Sequence, residues 1–223
     1  MWFEAMVFTA GVDGRHVPAG EDADKYLLRA NGVALPAFSE LARSAGVKHF
    51  VHIGSVYPHI LPNLAEENTY IRSRKMAAHG VAKLSTPTFS ACSLDHLFVV
   101  GTVPGMNIPI FEAKVQYAEG KFGMPEFAPV GGLNFISAQS LSEAIEGALE
   151  NGPAVAGRTI VVGDENLTYA NYFEKNFRAV RKTDVNIQAR DEEHPMFPRP
   201  ALFAGDRFIS YEPDPGDVKI LGS

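Results

Sequence analysis

The 223-residue sequence predicts an α/β domain with a mostly parallel sheet, followed by a smaller C-terminal cap. Three observations predict it. Apolar segments near 5–10, 48–54, 88–94 and 159–162 have strand composition. Long segments with helical spacing separate the first three. Strands joined through helices need crossover connections, which make neighbouring strands parallel. The expected division is a core over 1–103 and a cap over 104–223, with 159–162 returning to the sheet.

The elements follow in order. AMVFTA (5–10) is a short apolar strand ending at Gly11, and a loop rich in Gly, Asp and Pro runs to Gly20. Asp22 and Asp24 fall in the first turn of a long helix, where their charge suits the dipole. Leu27, Leu28, Leu35, Phe38, Leu41, Ala42 and Ala45 keep helical spacing up to a stop at Gly46. Pro36 inside that pattern predicts a kink or break near Val33–Leu35. Phe50, Val51 and Ile53 mark a buried strand ending at Gly54-Ser55. After a loop with two prolines, a helix begins near Glu66 and runs to about Leu84. TFSACSL (88–94) is a third strand.

Beyond Val99 the chain is rich in Pro and Gly around one helix near Ile110–Gly120. Ser140 and Glu143 have the spacing of a capping box for a helix to about Glu150, with Gly152 as its stop. Arg158–Val162 is a short strand, and Thr168 caps a helix to about Val180. The proline-rich tail over 189–217 is expected to wrap the surface with little regular structure.

Composition narrows the function. A formal charge of −6 and a pI near 5.6 give no basic field for nucleic acid or an anionic membrane. The single cysteine, Cys92, excludes an internal disulfide and fits a reducing cytosol. The opening MWFEAMVFTAG has no basic n-region and is too short to span a bilayer. A soluble, cytoplasmic protein is the expectation. DEEHP (191–195) reads as a solvated turn rather than a metal site, and Cys92 as core.

The chemistry-bearing stretch is 47–75. Ser55 stands at the C-terminal end of a strand, and the next helix carries Tyr70, Ser73, Arg74 and Lys75. Residues i and i+4 share a helix face, so Tyr70 and Arg74 point into one cleft, while Lys75 leaves it. A tyrosine near pKa 10 serves as an acid–base group at neutral pH only with positive charge nearby. A serine hydroxyl can hold a substrate oxygen while the tyrosine moves its proton. Tyr57 lines a pocket or packs on the surface; the sequence leaves both open.

Taken together, VFTAG (7–11), Asn31, AGVKHFVHIGS (45–55), YIRSRK (70–75), SLDHLFVVGTVPG (93–105), GGLNFISAQSLSEAIEGALENG (131–152) and GRTIVVGDENLTY (157–169) resemble the extended short-chain dehydrogenase/reductases, the NAD-dependent epimerase/dehydratase family. The resemblance implies a Rossmann-like sheet, an NAD or NADP cofactor and oxidoreductase or epimerase chemistry on a small carbonyl or alcohol. It makes Ser55 and Tyr70 the catalytic pair, with Arg74 where the family has a lysine that holds the nicotinamide ribose. Arg is not a conservative replacement there. Ala10 and Gly11 match the strand end beside the nucleotide, and Asn31 the helix asparagine. His96 and Leu97 match the segment that packs near the nicotinamide; an Asp95-His96 pair there is unusual.

The family's N-terminal G-x-x-G-x-x-G turn has no counterpart, and Gly101, Gly105 and Gly131-Gly132 read as turn glycines. By that comparison the sheet is partial, N-terminally truncated by about two βα units. Three readings stay open: an active enzyme, a non-catalytic remnant serving as a binding module, and a start placed too far downstream. Without its first strands the sheet would expose Ala5–Ala10 as an apolar edge, which predicts either a homodimer paired there or a marginally stable chain prone to aggregate.

Overall fold

The computed structural model describes residues 3–102, 105–197 and 205–222. It forms two compact units: Met1–Leu97 with Gln139–Gly163 and Pro213–Ser223, and Phe98–Ala138 with Asp164–Glu212. Val103 and Pro104, where the expected boundary falls, lie outside the described residues, as do Met1 and Trp2.

In the first unit β1 (Ala5–Phe8) leads through a 3-10 turn at Gly14–His16 to α1 (Ala23–Leu27), a wide π turn at Leu28–Val33 and α2 (Ala34–Ser44). The predicted break is thus a π segment upstream of Pro36. A proline has no N–H to offer the carbonyl four residues back, and its ring crowds that carbonyl; the wider turn accommodates both. Next come β2 (His49–Ser55), α3 (Tyr57–Ile60), α4 (Leu64–Glu67), α5 (Thr69–Ala82) and β3 (Ser90–His96). The helix expected from Glu66 starts at Thr69 instead. Asn68 caps it, its side chain accepting from the Ile71 N–H at 3.1 Å.

The second unit opens with β4 (Phe98–Val100), α6 (Pro109–Ala118), β5 (Ala128–Pro129) and β6 (Gly132–Ser137). From Gln139 the chain is back in the first unit with α7 (Ala138–Glu150), α8 (Gly152–Val155) and β7 (Thr159–Val161). α7 starts two residues before Ser140, so the expected capping box falls inside its first turn. Gly152 opens a further helical turn rather than ending one. β8 (Glu165–Thr168), α9 (Tyr169–Arg181), β9 (Ala189–Arg190) and α10 (Pro215–Leu221) complete the chain. Thr168 caps α9 as expected.

The first unit's sheet has the order β1-β2-β3-β7, parallel throughout. The expected strands at 5–10, 48–54, 88–94 and 159–162 therefore form one sheet. Met6, Phe8, Phe50 and Ala91 on one face pack against Leu35, Ala42, Ala77 and Val81 from α2 and α5. The core side of β1 is set by this burial, and Val7 points outward.

In the second unit β4, β6 and β8 form a mixed sheet; β6 and β8 run antiparallel, with Asn134 Nδ2 donating to Asn166 Oδ1 at 3.1 Å. Asn134 and Asn166 are register partners in β6 and β8, which the sequence did not announce as strands. Gly132 belongs to β6, whereas Gly101, Gly105 and Gly131 are turn glycines with positive φ. The tail contributes core rather than only surface. His194 and Phe197 are buried among Phe127, Tyr172 and Phe173, and His194 Nε2 donates to the Phe127 carbonyl at 3.1 Å. Of DEEHP, the three carboxylates and Pro195 are exposed and only His194 is buried.

A buried lysine stands in this aromatic core. Lys114 Nζ lies 4.6 Å from the Phe98 ring centroid, 4.9 Å from that of Tyr172 and 5.1 Å from those of Phe111 and Phe197. It donates to Tyr172 Oη at 2.7 Å. Burial lowers its pKa to about 8, and the rings supply part of the charge stabilisation that water no longer gives.

Candidate functional site

Parallel strands end together, and in open α/β sheets ligands bind outside their carboxyl ends. Here a cavity of about 220 Å³ lies at the ends of β1, β2 and β3. Thr9, Gly11, Val12 and Asp13 line it from the segment after β1, and Ile53, Gly54, Ser55 and Tyr57 from β2 and α3. Tyr70 and Arg74 come from α5, His96 and Leu97 from the end of β3. Of the residues singled out in the sequence, Gly11, Ser55, Tyr70, Arg74, His96 and Leu97 are thus brought together, and Tyr57 joins them. Lys75 is not in the lining, as its place on the helix implied.

Arg74 is buried, and its Nη2 donates to the Ile53 carbonyl at 2.9 Å. Its Nη1 lies against Gly11, where a Cβ would come within 2.4 Å of it. A side chain there would have to displace the guanidinium, and the constraint is this contact rather than backbone conformation. Arg74 Nε is buried with no partner among the described residues. The guanidinium is thereby a fixed charge under the cavity, tied to strand backbone on one side.

Asn31 sits in the π turn, and its amide is used within the protein. Its Oδ1 accepts from the Val12 N–H at 3.0 Å, and its Nδ2 donates to the Val12 carbonyl at 2.9 Å and to Ser73 Oγ at 3.1 Å. It clamps the segment after β1 onto α5 and does not line the cavity; nor does Ala10. The Asn31 amide is used up inside the protein, and at the strand end Thr9 and Gly11, not Ala10, line the cavity.

Behind the cavity runs a directed chain of hydrogen bonds. Asp95 is fully buried, and its carboxylate accepts from Ser93 Oγ at 2.5 Å and from His59 Nε2 at 2.6 Å. With its proton given to Asp95, Ser93 Oγ accepts from His52 Nδ1 at 2.9 Å. His52 is completely buried, and burial first, then the nearby Arg74 and His96 charges, lower its pKa to about 3. A Cβ at Gly54 would come within 1.7 Å of Asp95 Oδ1, so the glycine makes room for the carboxylate. His59 ties α3 to the end of β3 in this way.

The sequence reading missed Thr9, Val12 and Asp13. A signal was available: Asp13 and His16 form a reciprocal cap over one turn, Asp13 also pairing with Arg15 at 2.6 Å. Arg15's pKa is raised, first by Asp13 and least by the nearby Tyr70 phenol.

No family model and no curated protein matches the sequence. Solved structures do. UDP-N-acetylglucosamine 4-epimerase from Bacillus cereus superposes with a TM-score of 0.68 at 14% identity, over 98% of this chain and 73% of that one. RMD from Pseudomonas aeruginosa, complexed with NADPH, gives 0.60 at 19% identity, over 84% and 69%. The chain shares the fold of these two proteins. UDP-glucuronic acid 4-epimerase from Bacillus cereus, in complex with NAD, shares this fold at a TM-score of 0.56 and 13% identity, over 78% of this chain and 60% of that one. The chain spans 60–73% of the length of these three proteins. No helix among the described residues is long and apolar enough to cross a membrane.

Proposed function

We propose that this chain is an NAD(P)-dependent oxidoreductase or epimerase acting on a small carbonyl or alcohol. The observation that carries the reading is the convergence of Ser55, Tyr70 and Arg74 with Gly11 and Leu97 on one cavity at the strand ends. At about 220 Å³ the cavity is smaller than the roughly 300–1,000 Å³ of drug-sized pockets. Gly11, His96 and Leu97, which line it, are the residues that would hold the nicotinamide end of a dinucleotide. That group, when bound, supplies hydride acceptance or donation.

The chain's own residues do the rest. Ser55 holds the substrate oxygen, and Tyr70 gives it a proton or takes one from it. Arg74 contributes a permanent positive charge beneath them. Its Nη2 is already committed to Ile53, which favours this electrostatic role over the ribose contact that the resemblance implied. NADH and NADPH fluorescence titrations test the proposal. Saturable binding of one of them is expected, and no binding at millimolar cofactor would overturn it.

The proposed partner arrangement is a homodimer through β1, which pairs only with β2 among the described residues. Phe8 packs on Phe38 and Phe50, so Val7→Lys is the variant that tests the edge without opening the core. Sedimentation at low micromolar concentration should show a dimer that Val7→Lys dissociates; a wild-type monomer would refute it.

A further inference from the structure

Ser55 and His96 are register partners across β2 and β3, the last pair of that ladder, and both line the cavity. The His96 backbone is fixed there, because its carbonyl accepts from the Val56 N–H at 3.0 Å. Its ring is fixed too: Nδ1 lies 2.9 Å from the Leu97 carbonyl. A carbonyl oxygen only accepts, so Nδ1 carries the proton. Burial, ahead of the raising effect of that hydrogen bond, lowers the imidazole's pKa and keeps it neutral near pH 7. Nε2 is then a bare lone pair, an obligate acceptor beside a serine whose partner is the reacting oxygen.

We infer that His96 Nε2 accepts a hydrogen bond from a substrate hydroxyl next to the reacting carbon, so that the site takes α-hydroxycarbonyl compounds, or the corresponding vicinal diols, in preference to simple ketones and alcohols. The inference rests on the Ser55/Tyr70 reading of the site. It assigns His96 a substrate contact where the resemblance implied only packing near the nicotinamide. Adjacent strands lie about 4.8 Å apart, so neighbouring side chains at Ser55 and His96 suit two oxygens on adjacent carbons. A hydroxyl-accepting group left unpaired by the wrong substrate disfavours that substrate.

Two measurements test it. The first is turnover of hydroxyacetone against acetone with the preferred cofactor. A preference in kcat/KM of about 10–100-fold is expected, the factor that corresponds to one acceptor left unpaired by the wrong substrate. His96→Phe should abolish that preference, and His96→Gln, which keeps an acceptor, should restore part of it. The second measurement needs no turnover: side-chain ¹⁵N resonances of the histidines, assigned through His96→Gln. Nε2 of His96 should appear as the unprotonated nitrogen and shift with hydroxyacetone but not with acetone. That shift in a protein without turnover would uphold the inference while refuting the hydride chemistry. An undiminished preference in His96→Phe, or equal responses to the two ketones, would overturn it.

Discussion

The guanidinium of Arg74 rests against the bare Cα of Gly11, in space that a methyl group would fill. A Cβ there would stand 2.4 Å from Nη1 and 3.3 Å from Cζ. The strand end and the helix that carries Tyr70 are thereby held at one separation.

Gly11→Ala should displace Arg74 and destabilise the fold by about 1–3 kcal/mol, the usual cost of overpacking. In an Arg74→Ala background the same substitution should cost less, because the clash is gone. Urea unfolding of the four proteins of this cycle measures the coupling. Additive effects would mean that Arg74 moves aside freely.

Tyr70→Phe should leave folding and cofactor binding intact while reducing kcat by roughly 10²–10⁴-fold, the contribution of a positioned acid–base group. Steady-state kinetics alongside the NADPH titration separates the two. A near-wild-type kcat would remove Tyr70 from the mechanism whatever the fold.

His52 makes stability depend on acid. Its pKa is about 3 in the fold against 6.5 for the free residue. Between those values the unfolded chain binds the proton that the native one refuses, so the contribution is complete above pH 6.5 and is lost as pH falls towards 3. The slope is at most about 1.4 kcal/mol per pH unit. His96 and His194 are shifted in the same direction, so the difference between wild type and His52→Gln is the quantity to measure. Parallel stability–pH curves would show that His52 takes up protons in place.

Lys114 should act at the alkaline end. Its pKa is about 8 in the fold against 10.5 for the free side chain. The unfolded state again holds more protons between those values, so stability should rise as pH goes from 8 to 10.5. Lys114→Met, which fills similar space without a charge, should abolish that rise and be more stable than wild type at pH 7. Chemical denaturation at pH 7, 8.5 and 10 would show it; a destabilised Met variant at pH 7 would mean that the aromatic cage more than offsets the burial of the charge.

Much of this was legible along the chain. Phe50, Val51 and Ile53 announced a buried strand, Thr168 a cap, and the i, i+4 spacing of Tyr70 and Arg74 a shared face, because each is a local consequence of backbone geometry and side-chain periodicity. Even the interruption near Pro36 followed from one missing N–H. What the sequence by itself determined was therefore the strand–helix alternation and the grouping of Ser55, Tyr70 and Arg74 on neighbouring elements. Only the tertiary structure decided that Arg74 turns inward to the Ile53 carbonyl and Gly11, that Asn31 clamps Val12, and that His59 and His52 are joined through Asp95 and Ser93. Apart from the short Ser93–Asp95 step, the hydrogen bonds among these contacts link residues between 19 and 41 positions apart. Their donors and acceptors choose partners by what burial leaves within hydrogen-bonding distance, and no periodicity along the chain encodes that.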